Sequence, residues 1–391
     1  MRKVLLVVSV SLPNGLTLPP GPRRDYVVLA QALQATILDR SSIERSIVAR
    51  LLARLFGVPA GQAWLAFRQR RAFDAIVTDG EHIGIPLALL LKLARARTAH
   101  VTIGHRLLAK KKRFFFRWLK VHTHMARIIL HSTRQHELAT GELGIPAEQL
   151  ALVPYQADPD FWHPLPAAEE RLICSAGLEY RDYPTLFRAV EGLDVRVVIG
   201  AASYWSRLPN SAARAVPPAN VEIGAFDYLT LRDLYARAAL VAIPLTEIDN
   251  QAGITTLLEA MAMGKAVVIT QTEGQVDVVE DRRAVVRGAN LLRSLAAREG
   301  VALEPNGFYV PPGDAAALRR AIVYLLDHPE VRAQLGTAGR HAVERLMTVD
   351  QYAQRVRTLV EQACAAPAAT EGQTPRAPAR GAALRAEEPA T

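Results

Sequence analysis

Short apolar runs, separated by longer stretches with helical periodicity, recur along nearly the whole chain. Val4 to Ser11 (VLLVVSVS) predicts a buried first strand, followed by a loop rich in proline and glycine, Pro13 to Arg24, and a helix carrying Val28, Leu29, Ala32 and Leu33. Phe73 to Thr78 (FDAIVT), Ala99 to Gly104 (AHVTIG), Ile128 to His131 (IILH) and Leu150 to Pro154 read as further strands. Pro164 to Glu170 (PLPAAEE) is a linker by composition, and after it the alternation starts afresh: Leu172 to Ala176, Val195 to Gly200, Val221 to Ile223, Leu240 to Pro244 and Ala266 to Thr270. These runs lack the polar alternation of half-exposed strands, so both of their faces are expected to be covered. Strands of that kind alternating with helices predict an α/β chain with two doubly wound parallel sheets facing a cleft. The expected divisions are a first domain at 1–165, a second at 166–345, a C-terminal helix at 346–364 that packs back on the first domain, and a tail at 365–391. The tail is rich in Ala, Pro, Arg and Glu without periodicity, the composition of a disordered segment.

With 391 residues, half of them hydrophobic and 22% charged, the chain has material for two ordinary globular cores. The longest apolar run, Ile83 to Leu93, is interrupted by Pro86 and Lys92 and is too short to span a bilayer. Met1 to Leu12 lacks a small-residue cleavage site and reads as a strand rather than a secretion signal, so a cytoplasmic location is expected. Cys174 and Cys364 are too few for a disulfide framework or a zinc site, and no metal or cofactor is expected. The formal charge of +9 calls for an anionic partner. Nothing resembles a helix-turn-helix, a zinc finger or an RNA-binding aromatic pair, which sets nucleic acid aside. Lys110 to Lys120 (KKKRFFFRWLK) interleaves basic and aromatic residues at near-helical spacing, a pattern that fits either a foot on an anionic membrane, at the inner face, or an amphipathic helix with its aromatics in the core.

The stretch from Ile243 to Thr270 carries the clearest chemistry. A strand end leads into a polar loop, Gly253 permits a tight turn, and Ile254, Thr255 and Thr256 present unpaired amides at a helix N-terminus, where phosphate binds readily. Glu259 lies one to two turns further in, within reach of a hydroxyl of the same ligand. In the first half, Asp79-Gly80-Glu81-His82 and His105 stand at the carboxyl ends of predicted strands, where doubly wound folds place ligands. The loop holding Asn14 and Gly15 follows the first strand in the same way.

Several stretches of the second half, in order, resemble glycosyltransferase family 4, the retaining enzymes of the GT-B fold: SAGLEYRDYP (Ser175 to Pro184), the strand–loop–helix–strand run Val221 to Pro244, LLEAMAMGKAVVIT (Leu257 to Thr270), TEGQVDVV (Thr272 to Val279) and NGFYVPPGDAAAL (Asn306 to Leu318). The first half resembles the family at Ala99 to His105, Ile128 to Ser132 and Val153 to Pro164. The resemblance implies a transferase that moves a sugar from a nucleotide-diphosphate sugar to an acceptor hydroxyl with retention of configuration. It assigns the donor to Gly177, Arg181, Gln251, Gly253, Ile254, Thr255, Thr256, Glu259, Gly274 and Asp277, with His105, Glu259 and Arg181 carrying catalysis. Arg181 and the amides from Gly253 to Thr256 would hold the diphosphate, Glu259 the ribose, and His105 the donor sugar across the cleft, while Asp277 would set the loop near base or sugar. Asn14, Gly15 and Glu81 fall on the acceptor side, and the acceptor itself (saccharide, lipid-linked or small molecule) stays open. Gln251 stands where the family places a glutamate, so one carboxylate beside the sugar is replaced by a neutral amide. The rival readings are a GT-B nucleotide-sugar epimerase and a weakly active, membrane-associated nucleotide-sugar-binding protein.

Overall fold

The computed structural model describes residues 2–12, 20–201, 216–281, 283 and 290–365. Asn14, Gly15 and residues 366–391 of the tail lie outside them.

The first sheet is formed by β1 (Val4–Val7), β2 (Thr36–Leu38), β3 (Ala75–Asp79), β4 (Ala99–Ile103), β5 (Arg127–Leu130) and β6 (Leu150–Leu152), in the order β2-β1-β3-β4-β5-β6. The second contains β7 (Leu172–Ala176), β8 (Arg196–Gly200), β9 (Val221–Gly224), β10 (Leu240–Ile243), β11 (Ala266–Thr270) and β12 (Phe308–Val310), in the order β12-β11-β10-β7-β8-β9. Every pairing in both sheets is parallel. Two predicted doubly wound sheets are therefore present, and the differences lie at the edges. The edge strands β2 and β12 are three residues long, too short to stand out as apolar runs.

The helices between the strands of the first half are α1 (Asp25–Leu33), α2 (Ile47–Phe56), α3 (Val58–Gln69), α4 (Glu81–Leu93), α5 (Lys110–Arg117) and α6 (Thr133–Gly141). Those of the second half are α7 (Tyr183–Val190), α8 (Tyr228–Arg237), α9 (Ile254–Ala262), α10 (Leu291–Glu299), α11 (Ala315–Asp327), α12 (Pro329–Leu346) and α13 (Val349–Ala365). On one face of the first sheet, Val4, Leu6, Ala75 and Val77 pack against Val28 and Leu29 of α1 and against Tyr352, Val356 and Val360 of α13. The other face, Leu5, Val7 and Ile76, is covered by Ala63 and Ala66 of α3 and by Ile83, Leu87 and Leu91 of α4. The chain thus crosses between domains twice, and the crossings run side by side: Ala157 N–H donates to Met347 O at 3.0 Å, and Val349 N–H to Ala157 O at 2.9 Å.

Ligands of open parallel sheets bind beyond the carboxyl ends of the strands, at the point where strand order reverses. That point lies between β1 and β3 in the first sheet and between β7 and β10 in the second. The loops leaving those four strands contain Asp25, Gly80, Glu81, Arg181 and Gly253, so topology alone brings most of the candidate residues to one cleft.

Candidate functional site

In the second domain the cleft wall is the mouth of α9. Gly253 caps the helix at φ 80°, a left-handed backbone, and a Cβ there would come within 2.9 Å of Ile243. The helix behind it is buried from Thr256 to Ala262, while Thr255 is exposed at the opening. The first-turn amides of Thr255 and Thr256 find no acceptor among the described residues, which leaves them directed to the cleft with the positive end of the helix dipole.

Arg181 lies under this mouth and is 5% exposed. Its Nε donates to Ala176 O at 2.8 Å, Nη1 to Glu179 O at 2.9 Å and Nη2 to Thr256 Oγ1 at 3.1 Å. A guanidinium has five N–H groups, so two remain for an anion after these bonds. Gly177 makes room for it: at φ 98° it carries no side chain where a Cβ would sit 2.4 Å from Arg181 Nη2. Burial lowers the pKa of Arg181 without removing its charge in the physiological range. The position of Arg181 is fixed by backbone acceptors on both sides, which preorganises a cation at the helix mouth.

Glu259 is also buried, 8% exposed, with Tyr235 Oη donating to its Oε2 at 3.4 Å. Burial pushes its carboxyl up to about 8, opposed only in part by Tyr235 and Arg181. Around the same mouth, Asn250 Oδ1, Gln251 Oε1, Thr272 Oγ1 and Gln275 Oε1 are buried without a hydrogen-bond partner. Buried polar atoms are normally paired, so these oxygens leave the loops around the α9 mouth short of donors. Gln251 also donates from Nε2 to Asp277 Oδ2 at 3.4 Å. Gly274 packs its loop against the chain at Asn250, where a Cβ would meet Asn250 O at 2.1 Å.

Asp277, besides its contact with Gln251, reaches beyond the donor loop. Its carboxylate accepts from Thr133 N at 2.9 Å and Thr133 Oγ1 at 2.7 Å, both at the start of α6 in the first domain, and from Leu291 N at 3.1 Å at the start of α10. Asp277 therefore latches the domains together through two helix N-termini. Arg134 with Glu273 at 2.9 Å and Arg24 with Tyr228 Oη at 2.9 Å join the same closure.

The first domain contributes a network centred on His105. Nδ1 of its ring lies 2.9 Å from Tyr155 Oη, and Nε2 lies 3.4 Å from Asp79 Oδ1. Burial opposes the charged ring, but Tyr155, Asp79 and Glu81 outweigh it and raise the His105 pKa well above the usual range. Behind it, His131 is buried and pushed down to about 3, first by burial and then by the charge of His105, so it stays neutral. Glu81 accepts from His105 N at 2.8 Å, from Arg106 N at 3.2 Å and from Lys112 Nζ. Although burial works against ionisation, Lys112 and His105 bring the Glu81 carboxyl down to about 2. Glu81, 3% exposed, thus holds the His105 loop in place through three of its roughly four acceptor sites. Asp25, raised to about 6 by burial and by Asp79, completes this lip.

Next to His105, Arg106 donates from Nη2 to Tyr180 Oη at 2.7 Å, and Tyr180 is the neighbour of Arg181. Tyr180 holds a left-handed φ of 55°, an uncommon and strained conformation for a tyrosine. His105 and Arg181 therefore face one cleft from opposite domains. The sequence reading did not assign roles to Asp25, Arg106, Thr133, Tyr155 or Tyr180; the one signal for them was position at strand ends and helix starts.

Comparison with known proteins agrees with this geometry. Residues 181–328 match the family model Glycosyl transferases group 1. The chain carries a glycosyl transferases group 1 domain. That domain begins at Arg181, the cation under α9, and takes in the helix mouth and the loop of Asp277. No curated protein matches the chain by sequence. Among solved structures, a glycosyltransferase from Rickettsia africae is 14% identical with a TM-score of 0.66, the match covering 93% of this chain and 98% of that one. HepE from Anabaena, solved in complex with UDP and glucose, is 17% identical with a TM-score of 0.66 over 92% of this chain and all of the other. Sucrose-phosphate synthase from Thermosynechococcus elongatus is 16% identical with a TM-score of 0.66 over 93% of this chain and all of its own. At these identities the likeness is one of fold, and the fold is GT-B.

Proposed function

We propose that the protein transfers a sugar from a nucleotide-diphosphate sugar to an acceptor hydroxyl with retention of configuration, as an enzyme of glycosyltransferase family 4. The observation that carries this reading is the anion site at the α9 mouth: free amides of Thr255 and Thr256 beside an Arg181 guanidinium with two uncommitted N–H groups. A diphosphate held there accumulates negative charge as the sugar departs, and a fixed cation with a helix dipole stabilises that charge more than the ground state. The Gln251 amide would meet hydroxyls of the sugar and Glu259 those of the ribose. His105, from the opposite wall, would contact the transferred sugar, its Nε2 leaving the long 3.4 Å contact with Asp79 to do so. The leaving phosphate oxygen is the base toward the acceptor hydroxyl in this scheme. An amide at Gln251 removes one negative charge from beside the forming oxocarbenium ion, so modest turnover fits the site.

An epimerase would need an acid/base pair on the cleft wall, and Glu81, the candidate partner of His105, is buried and held ionised by Lys112 and His105, which suits it poorly to giving and taking a proton. The test is nucleoside diphosphate release from a panel of nucleotide sugars with and without acceptors. Release that depends on acceptor, with Arg181→Ala lowering turnover at least about tenfold, the scale of one transition-state contact, is the expected result. Acceptor-independent conversion would favour the epimerase, and binding without release the non-catalytic protein. Unchanged turnover in Arg181→Ala would remove Arg181 from the mechanism.

A further inference from the structure

Helix α2 is packed the wrong way round for a helix of a soluble core. It rests on α3 through small residues: Ala49 is buried, and a Cβ on Gly61 would come 2.6 Å from Ala49 O and 3.2 Å from the Ala53 Cβ. The large apolar side chains are left outside, with Ile47 77%, Leu51 55%, Leu55 63% and Phe56 74% exposed. An amphipathic helix ordinarily buries that stripe, and a contiguous exposed patch of this kind marks an interaction surface. Its charge is one-sided. Between Arg45 and Phe73 the sequence has six arginines and no acidic residue. Arg45, Arg50 and Arg54 are exposed, and none of them enters an ion pair among the described residues.

We propose that α2 is an interfacial helix that docks the first domain on an anionic lipid bilayer, its leucines and Phe56 in the headgroup boundary and its arginines on the phosphates. Charge selects this occupant over a second copy of the chain, because α2 itself carries Arg50 and Arg54 and no carboxylate, the nearest being Glu44 before its start, so α2 against α2 would set arginines against arginines. The basic aromatic stretch Lys110 to Lys120 is less suited to the same role. Phe116 is fully buried, Lys112 is paired with Glu81 and Arg113 with Glu142, which leaves only Phe114 and Trp118 as large exposed apolar groups there. Arg50 and Ala53 also line a groove with Ser11, Arg40, Ser41 and Glu44, beyond the carboxyl end of β1, so a bilayer on α2 lies at the first-domain side of the cleft. The inference does not depend on the transferase reading.

The test is co-sedimentation of the full chain with vesicles of pure phosphatidylcholine and of phosphatidylcholine mixed with phosphatidylglycerol, at low and high salt. Binding only to the anionic vesicles, weakened by salt, is expected, together with a loss of at least about tenfold in Leu51→Glu/Leu55→Glu. Those positions are exposed, so thermal unfolding of the variant should match the wild type. Phe114→Ser/Trp118→Ser should bind as the wild type does. Retained binding in the α2 variant, loss confined to the Phe114/Trp118 variant, or no binding to either vesicle overturns the proposal. So does sedimentation equilibrium showing a dimer that Leu51→Glu/Leu55→Glu dissolves in the absence of vesicle binding.

Discussion

The two walls of the cleft differ in how their polar groups are used. At the mouth of α9 the second domain holds two amides without acceptors, a guanidinium with N–H groups to spare and several buried oxygens without donors. Across from it, Glu81 accepts three hydrogen bonds and His105 engages both ring nitrogens and both backbone groups. Unsatisfied buried groups cost free energy unless a ligand completes them, whereas a closed network fixes geometry before any ligand arrives. The difference assigns complementary tasks: the second domain binds, and the first presents one preset side chain.

The sharpest way to break that contrast is to open the closed network. Glu81→Gln keeps the shape but replaces an ionised acceptor with an amide whose NH₂ faces donors, and it strands Lys112. Breaking a buried pair in this way costs about 3 kcal/mol or more, to be read from urea unfolding. The folded fraction should still bind nucleoside diphosphate, because the α9 mouth is untouched. The sign with pH follows from the lowered carboxyl: its stabilising contribution is present above its ordinary value near 4.5 and is lost as pH falls toward about 2. A cost under about 1 kcal/mol would mean the lip is not closed at all.

Glu259 probes the open side. Its folded-state carboxyl titrates near 8 against an ordinary 4.5, so the native state takes up a proton across that window and stability falls as pH rises through it. Glu259→Gln lacks this proton, and its stability should vary less with pH, with a relative gain of about 3 to 4 kcal/mol at pH 8 over pH 5. Nucleotide affinity should fall in the same variant if the carboxyl meets the ribose. A flat difference between pH 5 and 8 would show that Glu259 is ionised throughout.

The contrast between the walls also explains what could be read from the sequence. The second domain's site comes largely from one continuous strand–loop–helix segment, in which Gly253, Thr256 and Glu259 follow one another at fixed helical offsets, and such a segment is visible as a pattern. The first domain's site draws Asp25, Asp79, His105, His131 and Tyr155 from the ends of different strands, and no local spacing connects them. Asp79, Glu81 and His105 were legible there, as polar residues just past apolar runs, and Glu81 holds the His105 loop. Asp277 illustrates the remaining gap. Its motif marks it as part of the donor loop, but its partner Thr133 is on the other domain, a contact that depends on how two separately legible sheets meet.

The smallest effect tests whether His105 is preset by its neighbours. Asp79 and Tyr155 hold the ring protonated against the cost of burial, so Asp79→Asn should lower the His105 pKa, measured from its ring proton shifts by NMR. A histidine with a raised folded-state pKa stabilises the fold fully below its ordinary value near 6.5 and loses that contribution as pH rises through the folded value. The variant should therefore be destabilised most at pH 6.5 to 7 and approach the wild type at higher pH. Working above pH 6 matters, because Asp25 titrates near 6 and is itself raised by Asp79, which would mix a second proton into the comparison at lower pH. An unchanged His105 titration in Asp79→Asn would show that Tyr155 and Glu81 suffice to set the ring, and Asp79 would then act on the lip only by raising the Asp25 carboxyl.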